Sequence, residues 1–401
     1  MKLERKSFLW GMAVGAVAMF ILCGVALLVT AAVMVKQQGR AEAGYPASAL
    51  CPVAGDEGVT SRLRPIRQKF GVPSMAAAVV TSEGVQFMGV VGVRKRDTQI
   101  PVALEDLWHL GSDTKAMTST LIARLVEKDL LKWDTKVGDV FPDLPRMQPE
   151  LRKVTLLHLL CHRAGLPADL ELSKYLGENV VALRLKAVRE ELAKKPGHAP
   201  GSAFEYSNLG YIVSGAVVEK VTGESWETAM TREVFEPLQM KATGFGGTGG
   251  AGKIDQPWPH SAGGTPTSGN GPTVDNPPVM GPAGRVHCSM RDWARFIQDQ
   301  LRGARGQAGL LKAESYQKLH TPPFGGDYAL GWGTASRDWG GGKVLQHTGD
   351  NTLNCANVWI APQRDFAILV CVNQGGEVAF RATDEAVASL IKLHDEKMVA
   401  K

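Results

Sequence analysis

The sequence is poor in cysteine and has no block of basic residues, and both shortages exclude classes of function. Its 401 residues include 6 cysteines, none at C-x-x-C spacing, which argues against a disulfide framework and a zinc site. The net charge of +5 comes from dispersed side chains, so nucleic-acid binding is not predicted. Five histidines lack metal-ligand spacing and are expected to be structural or superficial: His109, His158, His162, His260 and His320.

The N-terminal region contains a long uncharged segment, residues 8–35, directly after Lys2, Arg5 and Lys6. A helix over this segment would be about 42 Å long, enough to cross a bilayer with tilt. The apolar core of a cleaved signal peptide has only about 7–15 residues. We therefore expect an uncleaved transmembrane helix, with a cleaved signal as the alternative.

The basic flank of this segment predicts its orientation. Lys and Arg are enriched on the cytoplasmic side of a membrane, so residues 1–7 are expected to be a cytoplasmic head. Residues 36–55 are small and polar and are predicted to be a linker. The domain of residues 56–401 would then lie on the periplasmic or extracellular side of the cell membrane.

Hydrophobic periodicity predicts strands at both ends of this domain and helices in the middle. Residues 75–80 and 85–93 are β-rich and flank a turn, and residues 344–346, 356–360 and 366–372 are the later strands. Helices are predicted at 58–70, 112–126, 155–160, 180–192, 210–221, 290–301 and 379–398. This order favours an α/β fold with one antiparallel sheet, flanking helices and an all-helical insertion.

Three short motifs occur in an order that indicates acyl transfer by a serine nucleophile. Ser112 and Lys115 lie three residues apart where a helix begins, so a hydroxyl and an amine share one face. Tyr206 and Asn208 form a Y-x-N motif, and an H-T-G motif begins at His347. A serine needs a neighbouring base to remove its proton, and Lys and Tyr can both do so.

Two other patterns resemble motifs but lack the expected context. Ser315 and Lys318 also match S-x-x-K, and we interpret them as an exposed helical pair. Residues 247–253 match the start of a phosphate-binding loop, and a G-x-G-x-x-G pattern begins at Gly244. Ile254 replaces the Ser or Thr that follows the lysine of a phosphate-binding loop, and no strand is predicted directly before residue 247. Residues 244–284 are therefore interpreted as a long flexible loop, in which residues 258–260 form either a lid or a solvated stretch.

The chain resembles the serine β-lactamase and penicillin-binding-protein superfamily, in particular its class-C-like branch. The similarity extends from about Gly58 to the C-terminal helix. Besides the three motifs, it rests on segments typical of the family: 107–112, 156–167, 200–201, 206–211 and 281–284. The resemblance implies a β-lactamase/transpeptidase-like fold with the site between sheet and helical lobe. It also implies a small-molecule or peptide substrate and no cofactor or metal.

The resemblance also implies catalytic roles for individual residues. Ser112 would be acylated, and Lys115 and Tyr206 would form the base system. Burial would have to lower the pKa of Lys115, and adjacent cations that of Tyr206. Asn208 would hold either a substrate amide or the Lys115 amine.

The H-T-G segment and the residue after it are expected to bind substrate. His347, with Thr348 and Gly349, would support the Tyr206 proton path and any substrate carboxylate. The backbone N–H groups of Ser112 and Asp350 would form the oxyanion hole. The departures from the family are the histidine in place of the more usual lysine and the acidic Asp350, which could repel anionic substrates.

These departures leave the substrate open among D-amino-acid peptides, small esters and β-lactams, in that order of expectation. The corresponding activities are those of a D-alanyl-D-alanine carboxypeptidase, an esterase and a β-lactamase. The alternative is a penicillin-binding sensor that does not turn over, or a scaffold. Buried free thiols are expected for the cysteines, although a cross-strand disulfide between Cys355 and Cys371 is a further hypothesis.

Overall fold

The computed structural model describes residues 53–177 and 179–399. These residues contain ten strands, which we number in chain order: β1 (Val53–Gly55), β2 (Ser74–Thr81), β3 (Gly84–Gly92), β4 (Leu107–His109), β5 (Thr243–Phe245), β6 (Val286–Ser289), β7 (Gly333–Arg337), β8 (Gly342–Asp350), β9 (Cys355–Ala361) and β10 (Phe366–Val372). Seven of them form one antiparallel sheet in the order β1-β3-β2-β10-β9-β8-β7. The N-terminal hairpin therefore pairs with the C-terminal strands, as the sequence predicts.

Twelve α-helices occur in the same residues. They are α1 (Glu57–Phe70), α2 (Thr114–Glu127), α3 (Val137–Val140), α4 (Pro149–Arg152), α5 (Leu156–Leu160), α6 (Val180–Glu191), α7 (Asn208–Thr222), α8 (Trp226–Met230), α9 (Gly281–Gly284), α10 (Met290–Ala304), α11 (Ala313–Leu319) and α12 (Gly376–Val399). The seven predicted helices are all present, with ends that differ by a few residues.

Apolar side chains bury both faces of the large sheet. Strand β2 is buried along its whole length, and its alternating residues enter two different cores. Ala77 and Val79 pack with residues of α1 and α12 on one face, including Val59 and Leu390. The opposite face packs against α10 and the helical lobe. This double burial explains why β2 has a continuous apolar sequence rather than an alternating one.

The insertion is not all-helical, because strands β4, β6 and β5 form a second, three-stranded sheet. These strands are only three or four residues long, too short for an alternating pattern to be recognised. Strand β4 leads directly to the segment that contains Ser112. The small sheet therefore connects the helical lobe to the candidate site.

The register of the last hairpin rules out the hypothesis of a Cys355–Cys371 disulfide. Cys371 lies opposite Ala356, and Cys355 lies opposite Val372. The offset of one residue points the two thiols to opposite faces of the sheet, where they enter different cores. In the described part of the chain, the cysteines are free and buried.

The predicted transmembrane helix of residues 8–35, the head and most of the linker lie outside the described residues. Across residues 53–177 and 179–399, no helix has the length and apolar character needed to cross a bilayer.

Candidate active site

Ser112 lies at the junction between the small sheet and helix α2. A 3-10 turn, Gly111–Asp113, follows β4 and continues into α2 at Thr114. Gly111 has a φ of +50°, and a Cβ there would lie 2.8 Å from the Asp350 nitrogen. A Cβ on Gly349 would lie 1.9 Å from the Leu110 oxygen. Because neither glycine has a Cβ, the backbone of the Ser112 segment can pack directly against the backbone at the end of β8.

Lys115 is fully buried one turn after Ser112. Its Nζ lies 3.0 Å from Ser112 Oγ and donates to Asn208 Oδ1 and to the Ala283 carbonyl, both at 2.7 Å. Burial lowers the pKa of Lys115 to about 7, although the charges of Asp169 and Asp113 oppose the shift. The amine can therefore be neutral near physiological pH and can accept a proton from Ser112.

Tyr206 approaches Ser112 from the helical lobe, close enough for the Ser112 hydroxyl to influence the phenol. The Lys115 Nζ lies 4.8 Å from the centre of the Tyr206 ring. The expectation that cations lower the pKa of Tyr206 is wrong, because burial raises it above its ordinary value. Tyr206 is therefore a neutral phenol at pH 7, and Lys115 is the group with a pKa suited to a base.

Hydrogen bonds around Ser207 hold the Y-x-N motif in place. Ser207 caps α7 by accepting from the Gly210 N–H at 3.1 Å and donates its hydroxyl to the Pro167 carbonyl at 2.6 Å. Its own N–H donates to His162 Nδ1 at 3.0 Å. The His162 ring also lies 4.3 Å from that of Tyr206, centre to centre. His162 has a φ of +60°, so this histidine fixes a turn and supports Tyr206.

Asn208 holds the lysine amine rather than standing free for a substrate amide. Its Oδ1 accepts from Lys115, and its Nδ2 donates to Asp169 Oδ1 at 2.8 Å. The Asn208 N–H donates to the Ala168 carbonyl at 2.7 Å. Of the two roles that the resemblance implies for Asn208, the structure shows the contact with the Lys115 amine.

His347 is buried on β8 with both ring nitrogens in contact with neighbours. Nδ1 lies 3.1 Å from Asp113 Oδ1, and Nε2 lies 3.0 Å from the Tyr328 hydroxyl. Burial and the nearby Lys115 lower the pKa of His347 to about 3, so the ring is uncharged at neutral pH. Burial also raises the pKa of Asp113 well above its usual range.

The Asp350 carboxylate is held by backbone N–H groups of the next turn and of α12. Oδ1 accepts from the Thr352 N–H, and Oδ2 accepts at 2.9 Å from the N–H of Gly376, the first residue of α12. The positive end of the helix dipole therefore compensates this charge. Thr348 is half-buried on β8 and lies opposite Asn357.

The competing motifs lie apart from this cluster. Ser315 and Lys318 belong to helix α11. Residues 258–260 are not a solvated stretch, because Trp258 and His260 are both buried and hydrogen-bonded. Within residues 53–177 and 179–399, no three His, Cys, Asp or Glu side chains are grouped in a way that could hold a metal ion.

A comparison with known families agrees with this geometry. The family described as Beta-lactamase matches residues 59–392, which is most of the chain. The chain belongs to the beta-lactamase family. It is 27% identical over 345 residues to Penicillin-binding protein 4 of Amycolatopsis lactamdurans, and the match covers 80% of this chain and 85% of that protein.

Two further comparisons show similarity at lower identity. Protein flp of Staphylococcus aureus (strain MW2) is 24% identical, and the match covers 77% of this chain but only 61% of that protein. The solved structure of the D-alanine carboxypeptidase AmpC from Burkholderia cenocepacia has a TM-score of 0.66 at 20% identity, covering 84% of this chain and 98% of that one. At this identity the likeness shows the fold alone.

Sequence reasoning missed four side chains that contact the predicted residues: Asp113, His162 as a support of Tyr206, Asp169 and Tyr328. Asp113 lies inside the S-x-x-K segment, so its position was available from the sequence. The contact of Tyr328 with His347 depends on the chain path between α11 and β8 and has no local signal.

Proposed function

We propose that this member of the beta-lactamase family is a membrane-anchored serine hydrolase that forms an acyl-enzyme on Ser112. The observation that supports it best is the fully buried Lys115 amine, 3.0 Å from Ser112 Oγ and with a pKa of about 7. A base whose pKa is near ambient pH is the group that activates a serine most effectively.

The reaction would proceed in two halves. Ser112 Oγ attacks the carbonyl carbon while its proton passes to Lys115 Nζ, and the carbonyl oxygen becomes an oxyanion near the Ser112 and Asp350 N–H groups. The C–O or C–N bond to the leaving group then breaks, and the leaving group takes the proton. Water, activated by the same base system with Tyr206, attacks the Ser112 ester and releases the acid.

The surroundings of His347 favour donors without a carboxylate at this position. A neutral imidazole whose two nitrogens already contact Asp113 and Tyr328 has no charge or spare N–H for an anion. We therefore place small esters before D-amino-acid peptides and β-lactams. The name of the Burkholderia structure, a D-alanine carboxypeptidase, keeps D-peptides as the next class to assay.

The test is turnover of p-nitrophenyl acyl esters by the full chain in detergent. Ser112→Ala should abolish turnover, whereas Ser315→Ala, which alters the second S-x-x-K, should leave it unchanged. Equal hydrolysis by wild type and Ser112→Ala would contradict the proposal. A mass shift that persists on Ser112 after exposure to a β-lactam, without ester turnover, would instead indicate the penicillin-binding sensor.

The proposed membrane anchor is tested by fractionation, independently of activity. The full chain should stay with the membrane fraction after a carbonate wash, and a variant lacking residues 1–52 should not. Recovery of the full chain in the soluble fraction would contradict the anchor.

A further inference from the structure

Asp275, in the long glycine-rich segment of residues 244–284, is connected to the candidate site by hydrogen bonds of its carboxylate. Asp275 lies between β5 and β6, and its side chain is completely buried. It accepts hydrogen bonds from three side chains: His109 Nε2 at 2.9 Å, Arg285 Nε at 3.2 Å and Asn351 Nδ2 at 2.9 Å. Since all three partners donate, this position requires a side chain that only accepts, which is an ionised carboxylate.

The contact with His109 connects Asp275 to the backbone just before Ser112. The Gly111 N–H donates to His109 Nδ1 at 3.0 Å, so Nδ1 is the accepting nitrogen. The proton of the neutral ring is then on Nε2, which faces Asp275. Asp275 thus selects the tautomer that can hold the Gly111 N–H.

The contact with Asn351 connects the same carboxylate to the backbone just after Asp350. Asn351 is buried, and its Oδ1 accepts from the N–H groups of Leu353 and Asn354 at 3.2 and 2.8 Å. Its Nδ2 has Asp275 as acceptor. Asn351 therefore orders the turn that follows β8, and Asp275 holds Asn351.

We propose that Asp275 is a positioning residue that sets the distance between the Ser112 and Asp350 backbones, the two sides of the proposed oxyanion hole. One oxygen holds the Gly111 side through His109, and the other holds the Asp350 side through Asn351. Arg285 compensates the buried charge. The glycine-rich segment is in this view a structural part of the site, and the role of Asp275 rests on the proposed function.

The decisive variant is Asp275→Asn, which keeps the shape but replaces one acceptor by a donor. The new NH₂ group must face either His109 Nε2–H or Asn351 Nδ2–H, and two donors cannot form a hydrogen bond. With p-nitrophenyl esters we expect kcat to fall about 100-fold, the size seen when one oxyanion donor is lost, while KM changes less than about 3-fold. Unchanged kcat in a folded Asp275→Asn variant would overturn the proposal.

Asn270→Ala is the matched control, because Asn270 is a buried polar residue of the same segment. It contacts the Gly252 N–H at 2.9 Å and the Lys253 carbonyl at 2.7 Å, and neither contact leads to Ser112 or Asp350. This variant should melt at a lower temperature yet keep kcat within about 3-fold. An equal loss of kcat in Asn270→Ala would show that order of the loop, rather than the carboxylate, matters.

A measurement without turnover separates this proposal from the proposed function. Amide hydrogen exchange of residues 109–113 and 350–354 should be at least 10-fold faster in Asp275→Asn than in wild type, and unchanged in Asn270→Ala. If Ser112→Ala retains ester turnover, the proposed function is wrong. Faster amide exchange in Asp275→Asn would still support the positioning role of Asp275. Unchanged exchange in Asp275→Asn would overturn the positioning role whether or not the wild type is active.

Discussion

His347 and Asp113 form a buried pair in which Nδ1 of the ring lies 3.1 Å from Oδ1 of the carboxyl group. Burial raises the pKa of Asp113 well above its usual range and lowers that of His347 to about 3, so burial favours the uncharged form of both groups. The carboxyl O–H then donates to Nδ1. The remaining ring proton lies on Nε2, which faces the Tyr328 hydroxyl.

The same direction of donation continues on the other side of the His347 ring. The Nε2 proton of His347 faces the Tyr328 hydroxyl at 3.0 Å, and in the helical lobe the Tyr211 hydroxyl donates to the Leu160 carbonyl at 2.7 Å. Hydrogen bonds therefore lead from Asp113, beside Ser112, through His347 to Tyr328. These contacts give both ring nitrogens of the buried His347 a hydrogen-bond partner.

Asp113→Asn should retain activity, because an asparagine can also donate to His347 Nδ1. We expect kcat/KM for esters within about 3-fold of wild type. Asp113→Leu leaves Nδ1 without a donor and should lose about 10-fold or more, equivalent to about 1–3 kcal/mol. Steady-state kinetics on the two variants tests whether activity depends on a donor to His347 Nδ1. An equal loss in both would show that an ionised Asp113 is required.

The raised pKa of Asp113 also predicts a pH-dependent difference in stability. Above about pH 4 the unfolded chain releases this proton but the folded chain keeps it, so stability falls as pH rises towards the folded pKa. Asp113→Asn lacks this loss. It should therefore be more stable than wild type in urea at pH 7 and equal to it near pH 3; a wild type that is the more stable at pH 7 would exclude a protonated Asp113.

Lys115→Met should abolish ester turnover and yet stabilise the protein at pH 6. Below pH 7 the wild type must keep a buried ammonium, at a cost on the order of a few kcal/mol. Between pH 7 and about 10.5 the folded chain binds fewer protons than the unfolded one, so wild-type stability rises with pH. Thermal unfolding should show the gap between the two proteins closing towards pH 10. A gap that does not depend on pH would mean that Lys115 titrates normally.

The activity of the wild type should follow the same titration. Only the neutral amine can take the Ser112 proton, so kcat/KM should rise with pH through about 7 and then level off. A profile measured from pH 5 to 9 with an ester whose leaving group stays ionised tests this. A profile that shows no rise between pH 5 and 9 would contradict Lys115 as the base.

Site residues close together in the chain could be predicted from the sequence, whereas contacts between distant parts of the chain could not. The proximity of Ser112 and Lys115 was predictable, because helical turns bring residues three apart to one face, although Ser112 itself lies in the 3-10 turn before α2. The role of Asp275 was not, since it contacts His109 across 166 residues of chain and lies in a segment without periodicity. The surroundings of His347 were not predictable for the same reason. Its identity is visible in the H-T-G motif, but its burial and its contact with Tyr328 depend on the folded chain.

Asp350→Asn should affect stability more than catalysis. The carboxylate accepts from the Gly376 N–H at the start of α12, so its loss should cost about 1 kcal/mol of folding free energy. Both carboxylate oxygens already accept from backbone N–H groups, and turnover of a neutral ester should therefore change less than about 3-fold. Urea unfolding and ester kinetics on the one variant test both statements. A large gain in turnover of an anionic donor would show that the Asp350 charge repels substrate after all.

The exposed rings of Phe204 and Phe324, here called the aromatic edge, are expected to favour apolar acyl groups, because Phe204 contacts the Tyr328 that adjoins His347. Phe204 is 48% exposed, with its ring 5.7 Å from that of Tyr328, and Phe324 is stacked at 4.8 Å on His158. An acyl chain that covers roughly 100 Å² of such a ring would gain about 2.5 kcal/mol. Phe204→Ala should therefore raise KM for octanoyl esters about 10-fold or more and leave acetyl esters unaffected.

The matched control for this edge is Leu130→Ala. Leu130 is exposed to a similar extent, 50%, but lies beyond the far end of α2, roughly 20 Å from Ser112 at 1.5 Å per residue. It should not change KM for either ester. If Phe204→Ala and Phe324→Ala both leave the preference for chain length unaltered, the aromatic edge does not contact the acyl group, and specificity must arise on the β8 side of Ser112. If Phe204→Ala alone alters the preference, the acyl chain lies along Tyr328 and not along His158.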